Sequence, residues 1–87
     1  MESYLLEWRR STKKDLRKIP AKDAEKIVAT AELLRENPYP DGCKKLHGSD
    51  HAFRIRVGNY RILYEVFDKT LIIEVLKIGD RKDIYRT

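Results

Sequence analysis

Arg54 and Arg56 stand one residue apart in the run Phe53-Arg54-Ile55-Arg56-Val57. Successive side chains of a β-strand point to opposite faces, so both arginines share one face, roughly 7 Å apart. Arg61 comes just after the turn signal Gly58-Asn59, on what would be the neighbouring strand. Arg81 closes the next apolar run, with Tyr85 and Arg86 close behind. Guanidinium is planar, permanently charged and able to bond two phosphate oxygens at once. If helices cover one face of such a sheet, the other face can gather four guanidinium groups and a phenol. That cluster could hold an RNA backbone and stabilise charge developing on a scissile phosphate. Aromatic side chains nearby could stack on unpaired bases. Alternating arginines also serve simply as the solvated face of a strand, and the pattern alone leaves both readings open.

Other groups offer less. His47 and His51 could in principle pair as acid and base. They lie four residues apart in a non-helical segment containing Gly48, which fixes no geometry between them, and they read as surface histidines. No third ligand accompanies them for a metal. Cys43 is the single cysteine, so neither an intramolecular disulfide nor a cysteine-based metal site is expected, and it reads as a small, partly buried side chain. No phosphate-binding glycine loop, nucleophile elbow or zinc motif is present. No metal or cofactor is expected.

The elements that must position the arginines follow from periodicity. Tyr4 to Trp8 reads as a first strand. Ser11 is a plausible N-cap for a short basic helix over 12–18, which Pro20 ends. From Ala21 the spacing becomes helical, and Ala24, Ile27, Val28, Ala31 and Leu34 form one apolar stripe. Asn37-Pro38 and Pro40-Asp41-Gly42 stop this helix. Residues 43–51 read as a polar connection. Three strands then follow: Phe53 to Val57, Tyr60 to Phe67, and Leu71 to Ile78, with Asp68-Lys69-Thr70 as the second turn. Tyr60 and Tyr64 share a strand face and read as packing residues rather than base-stackers. The expected fold is α+β: an N-terminal strand at a sheet edge, a two-helix hairpin on one face of an antiparallel sheet, and a C-terminal three-strand meander.

The bulk properties agree with one small domain spanning 1–87. The 87 residues are 41% hydrophobic and 38% charged, a folded rather than disordered profile, and the net charge of +5 favours polyanions and acidic protein segments. The N-terminus has no apolar signal region, and no stretch nears the ~20 apolar residues of a membrane span. A cytoplasmic protein with no membrane partner is expected.

Three segments taken together resemble a known family. Leu46-His47-Gly48, the stretch from Phe53 through Arg61 to Glu65, and the ending from Ile78 through Arg81 and Tyr85 to Arg86 are similar to the RelE/ParE toxin superfamily, nearer its RelE branch. The resemblance covers nearly the whole chain. It implies a toxin of a type II toxin–antitoxin system that cuts messenger RNA in the ribosomal A site without a metal. The ribose 2′-hydroxyl would attack the adjacent phosphate, leaving a 2′,3′-cyclic phosphate and a 5′-hydroxyl. By motif position, Arg61, Arg81 and Tyr85 would be catalytic, and Arg54, Arg56 and Arg86 would bind RNA. The implied partners are a small acidic RelB-like antitoxin, messenger RNA on the ribosome, and operator DNA only through the antitoxin complex.

Two positions depart from the family pattern. The basic strand pair is often lysine in such toxins, and arginine cannot be deprotonated to act as a base. Asp80 stands where many relatives have histidine, which removes a possible acid–base group and adds a negative charge beside Arg81. Two other readings therefore stand beside the first: a ParE-like inhibitor of DNA gyrase, and a catalytically weak relic that still binds antitoxin and operator DNA.

Overall fold

Local sequence explains most of the elements in the computed structural model, which describes residues 3–80. Their order is β1 (Leu5–Trp8), α1 (Arg10–Arg17), α2 (Ala21–Leu33), β2 (Lys44–Lys45), β3 (Ala52–Val57), β4 (Tyr60–Phe67) and β5 (Ile72–Asp80). The expected α+β architecture with a two-helix layer is present. The five strands form one sheet in the order β1-β5-β4-β3-β2.

Two features correct the expectation. The sheet is mixed rather than antiparallel, because β1 pairs with β5 in parallel, Leu5 beside Ile72 and Trp8 beside Val75. Alternation of side chains is the same in either direction, so the sequence pattern of β1 carries no sign of its polarity. The polar connection also contains a short strand, β2, whose Lys44 and Lys45 pair with Arg54 and Phe53. Two lysines have little β-propensity, and the pairing comes from the neighbouring edge of β3.

Helix starts differ from the simple capping rule. The N-cap of α1 is Arg9, without a side-chain cap, so Ser11 does not serve as one. Thr12 is instead the buried polar residue of α1, its hydroxyl donating to the Arg9 carbonyl. The apolar stripe of α2 does bury Ile27, Ala31 and Leu34, while Val28 stays on the exposed flank. These residues pack on Ile62, Tyr64 and Val66 of β4 and on Ile73, Val75 and Ile78 of β5. Tyr64 is fully buried, and its hydroxyl donates to the Pro38 carbonyl at 2.8 Å, tying the sheet to the loop after α2.

The turns set the register that matters for function. Gly58 has φ +60, which fits the first central position of a type II′ hairpin turn. The Gly-Asn order thus works where Asn-Gly would suit type I′. Val57 faces Tyr60 and Arg56 faces Arg61 across this hairpin. On the other side of β4, Leu63 pairs with Lys77 but Tyr64 pairs with Val75, so Leu76 is an extra residue in β5. A bulge of this kind reverses the alternation beyond it. Ile73 and Val75 face the core before the bulge and Ile78 faces it afterwards, while Lys77 and Gly79 turn to the opposite face.

Candidate functional site

The face turned away from the helices carries the basic residues at its hairpin end. Arg54 and Arg56 come from β3, and Arg61 lies directly across from Arg56. Lys44 pairs with Arg54 on the outer side, and Lys77 pairs with Leu63 on the inner side. Five cations therefore surround Leu63 on three adjacent ladders. Directly opposed side chains have Cβ atoms only ~4.5–5.5 Å apart, and like charges so placed repel. The arrangement is one that a bound polyanion relieves. Arg56 is exposed, and its Nε donates to the Gly58 carbonyl at 3.0 Å, which anchors the side chain beside the turn. Arg54 and Arg61 are half-buried, so their positions are more tightly held.

Lys44 and Lys77 were not visible as site residues in the sequence. Lys44 sat in a segment without strand character. Lys77 sits on the basic face only because of the bulge at Leu76, which no local pattern announces. Arg61 has Gly79 as its other cross-strand neighbour. Arg81, Tyr85 and Arg86, the remaining residues of the expected site, lie outside the described residues.

The model of the ParE toxin of the type II toxin–antitoxin system parDE matches residues 6–85, nearly the whole chain. The chain belongs to the RelE/ParE toxin superfamily. Among its relatives are toxin RelE3 of Methanocaldococcus jannaschii, 37% identical over 76 residues (83% of this chain and 84% of the relative), and toxin RelG of Mycobacterium tuberculosis, 31% identical over 85 residues (95% and 97%). A crystal structure of an archaeal RelE–RelB complex from Pyrococcus horikoshii OT3 matches with a TM-score of 0.81 at 26% identity, over 91% of this chain and 96% of that one. These similarities place the chain on the RelE-like branch, as a type II toxin.

Beyond the basic field of this RelE-like toxin, the same face carries one row of the opposite sign. Glu7, Glu74 and Glu65 stand side by side on β1, β5 and β4, one row across the same face. Arg9 reaches Glu74 at 3.8 Å. This row bounds the cationic field, so a polyanion is drawn to the hairpin end of the sheet and repelled from the other.

The remaining titratable groups lie away from that field. Asp68, in the turn after β4, accepts hydrogen bonds from Tyr4 (2.6 Å) and Tyr39 (2.8 Å). Those two hydroxyls hold its carboxyl below the usual range, and burial together with Asp68 pushes the Tyr39 phenol up to about 12. The three side chains join the N-terminal segment, the loop after α2 and the β4–β5 turn, a structural role. His47 and His51 are both exposed, and the ring of His51 sits 5.7 Å from that of Phe67. Cys43 is half-buried against the core. Among the described residues no group of three or more His, Cys, Asp or Glu side chains is placed to hold a metal ion, and no helix is long and apolar enough to cross a membrane.

Proposed function

We propose that this toxin is an endoribonuclease that cuts messenger RNA in the ribosomal A site. The observation that carries the reading is the opposition of Arg56 and Arg61 at the hairpin end of a five-cation field on the sheet face turned away from the two helices. In this reading Arg54, Arg56 and Arg86 hold the RNA backbone, while Arg61 and Arg81 stabilise the crowded phosphate. The 2′-oxygen attacks phosphorus, the 5′-oxygen leaves and takes up a proton, and a 2′,3′-cyclic phosphate remains. Tyr85 either accepts the 2′-hydroxyl proton or stacks on a base. A phenol has a pKa near 10, and neighbouring cations favour its phenolate.

Arginines clamp and polarise but do not remove protons. The reaction then depends on holding RNA in line for attack, an effect worth roughly 7–11 kcal/mol where alignment is good. Free RNA seldom keeps that geometry, and a codon fixed in the A site does. Purified toxin is therefore expected to cut translated messages at in-frame positions, mapped by their 5′ ends, and to leave naked RNA nearly intact. Equal rates on naked RNA and programmed ribosomes, with an Arg61→Ala control for contaminating nuclease, would refute ribosome dependence.

The structures from P. horikoshii and M. jannaschii are complexes of RelE with RelB. A small acidic RelB-like antitoxin is accordingly the proposed partner here, in the cytoplasm, with operator DNA reached through that complex. A net charge of +5 suits such a segment. Pull-down from cells carrying the native operon should recover it in stoichiometric amount. The ParE description of the matching family model favours a second reading, inhibition of DNA gyrase, in which induction of the toxin would provoke DNA damage without cutting messages.

A further inference from the structure

At the hairpin end of the sheet, the face toward the helices holds a cleft of about 500 Å³ lined by Asp15, Lys18, Ile19, Tyr60, Lys77, Ile78, Gly79 and Asp80. That volume lies within the roughly 300–1,000 Å³ of ordinary small-molecule sites. The cleft exists because β1 ends at Trp8, beside Val75, and beyond that point this edge of β5 has no strand partner among the described residues. Asp15 of α1 takes over part of that edge, its carboxylate accepting the Ile78 backbone N–H at 3.1 Å. Tyr60 and Asp80 are paired across β4 and β5, and both belong to the helix-side face. The histidine-to-aspartate departure thus places a carboxylate in this cleft and not among the arginines.

Its chemistry differs from that of the basic face. Among the described residues Asp15, Asp80 and Lys18 line it, with Lys77 at its border turned to the opposite face, and a half-buried tyrosine supplies an aromatic surface. A phosphate gains little from a site with two carboxylates beside a field of five cations. Tyr60 packs on the core as its sequence pattern suggests, and its half-buried side chain also lines the cleft, where a nucleobase plane can stack and an exocyclic amine can donate to a carboxylate. The position is right for a base belonging to a clamped backbone. The pair Arg61–Gly79 and the pair Tyr60–Asp80 are consecutive steps on the same two strands, about 3.4 Å apart along them, on opposite faces at the sheet's end. Gly79 and Lys77 border both regions, and the glycine carries no side chain to separate them.

We propose that this cleft is a nucleobase subsite, selecting a base with an exocyclic amine next to the phosphate held by Arg61, through stacking on Tyr60 and acceptance by Asp80. The inference rests on the RNA reading of the basic face. It assigns a specificity role to Asp80, a residue that otherwise only marks a departure from the family pattern.

The test uses the full-length toxin and short 2′-O-methyl oligonucleotides, which cannot be cleaved, at low salt with fluorescence anisotropy as the readout. Oligoadenosine is compared with oligo-purine-riboside, which has the same rings without the amine. Wild-type protein should prefer adenosine by about tenfold, the size expected of a hydrogen bond to a charged acceptor. Asp80→Ala, at an exposed strand end and with a native far-ultraviolet spectrum as the control, should bring the ratio close to one, and Asp80→Glu should restore part of it. Arg61→Ala should weaken both oligonucleotides alike and leave the ratio in place. A wild-type ratio near one, or a ratio that Asp80→Ala does not change while Arg61→Ala still weakens binding, overturns the subsite alone. Binding that Arg61→Ala does not weaken at all removes the RNA reading and the subsite with it.

Discussion

Neutralising one carboxylate of the glutamate row, Glu65→Gln, should raise stability. Glu65 faces Glu74 directly, and Glu74 faces Glu7 on its other side. Like charges directly opposed in a sheet cost roughly 0.2–1 kcal/mol per pair. Two unit charges about 5 Å apart in water repel by roughly 0.8 kcal/mol, so the range is physically reasonable. Arg9, at 3.8 Å from Glu74, offsets part of the repulsion, and with its side chain 52% exposed it offsets only part. For a domain of this size 1 kcal/mol moves the melting temperature by about 4–8 °C, so a rise of roughly 1–8 °C is expected for Glu65→Gln. Glu74→Gln relieves two repulsions but gives up the Arg9 pair, and should gain no more. The assay is thermal unfolding by circular dichroism at low and at molar salt, because a Debye length of about 3 Å at 1 M screens the effect. A melting temperature that is unchanged or lower, or a gain as large at 1 M salt as at 10 mM, would show that charge repulsion in the row is not the cause. The same variant should bind RNA more tightly, since it weakens the boundary of the cationic field.

Other outcomes test the site and the fold. Arg61→Ala and Arg81→Ala should each lower message cleavage by about 10²–10³-fold and relieve growth inhibition while the far-ultraviolet spectrum stays native; two folded variants as toxic as the parent would end the assignment. Tyr64→Phe leaves the Pro38 carbonyl without its 2.8 Å donor and should cost about 1–3 kcal/mol, read from the urea midpoint. Asp68 has its pKa lowered on folding, so its contribution is present above the unfolded carboxylate value and is lost as pH falls through the folded one. Asp68→Asn should therefore flatten the acid limb of the stability profile, and an unchanged acid limb would show that the two tyrosine hydrogen bonds do not matter. Tyr39 is raised to about 12, so its share is complete below pH 10 and disappears as pH rises through about 12.

Much of the basic face was legible in the sequence because it depends on period and turn length. Phe53, Ile55 and Val57 alternate with Arg54 and Arg56, which is enough to put both arginines on one face. The two-residue turn at Gly58-Asn59 brings Arg61 beside them, and the three- and four-residue spacing from Ala24 to Leu34 marks the helix stripe that buries the other side. The family itself could be recognised from Leu46-His47-Gly48, the stretch from Phe53 to Glu65 and the ending from Ile78 to Arg86. Tertiary structure alone decided how separate strands meet. The parallel docking of β1 on β5 aligns Glu7 with Glu74, a contact between residues far apart in the chain. Pairing with β3 turns Lys44 from a loop residue into a neighbour of Arg54 on the basic face. The bulge at Leu76 turns Lys77 toward the arginines and carries Asp80 to the helix side, where Tyr60 and Asp15 form a cleft with it. The physical reason is common to all three. A strand's own sequence states which of its residues share a face, but register and bulges are set by pairing between distant segments, and one extra residue exchanges the two faces.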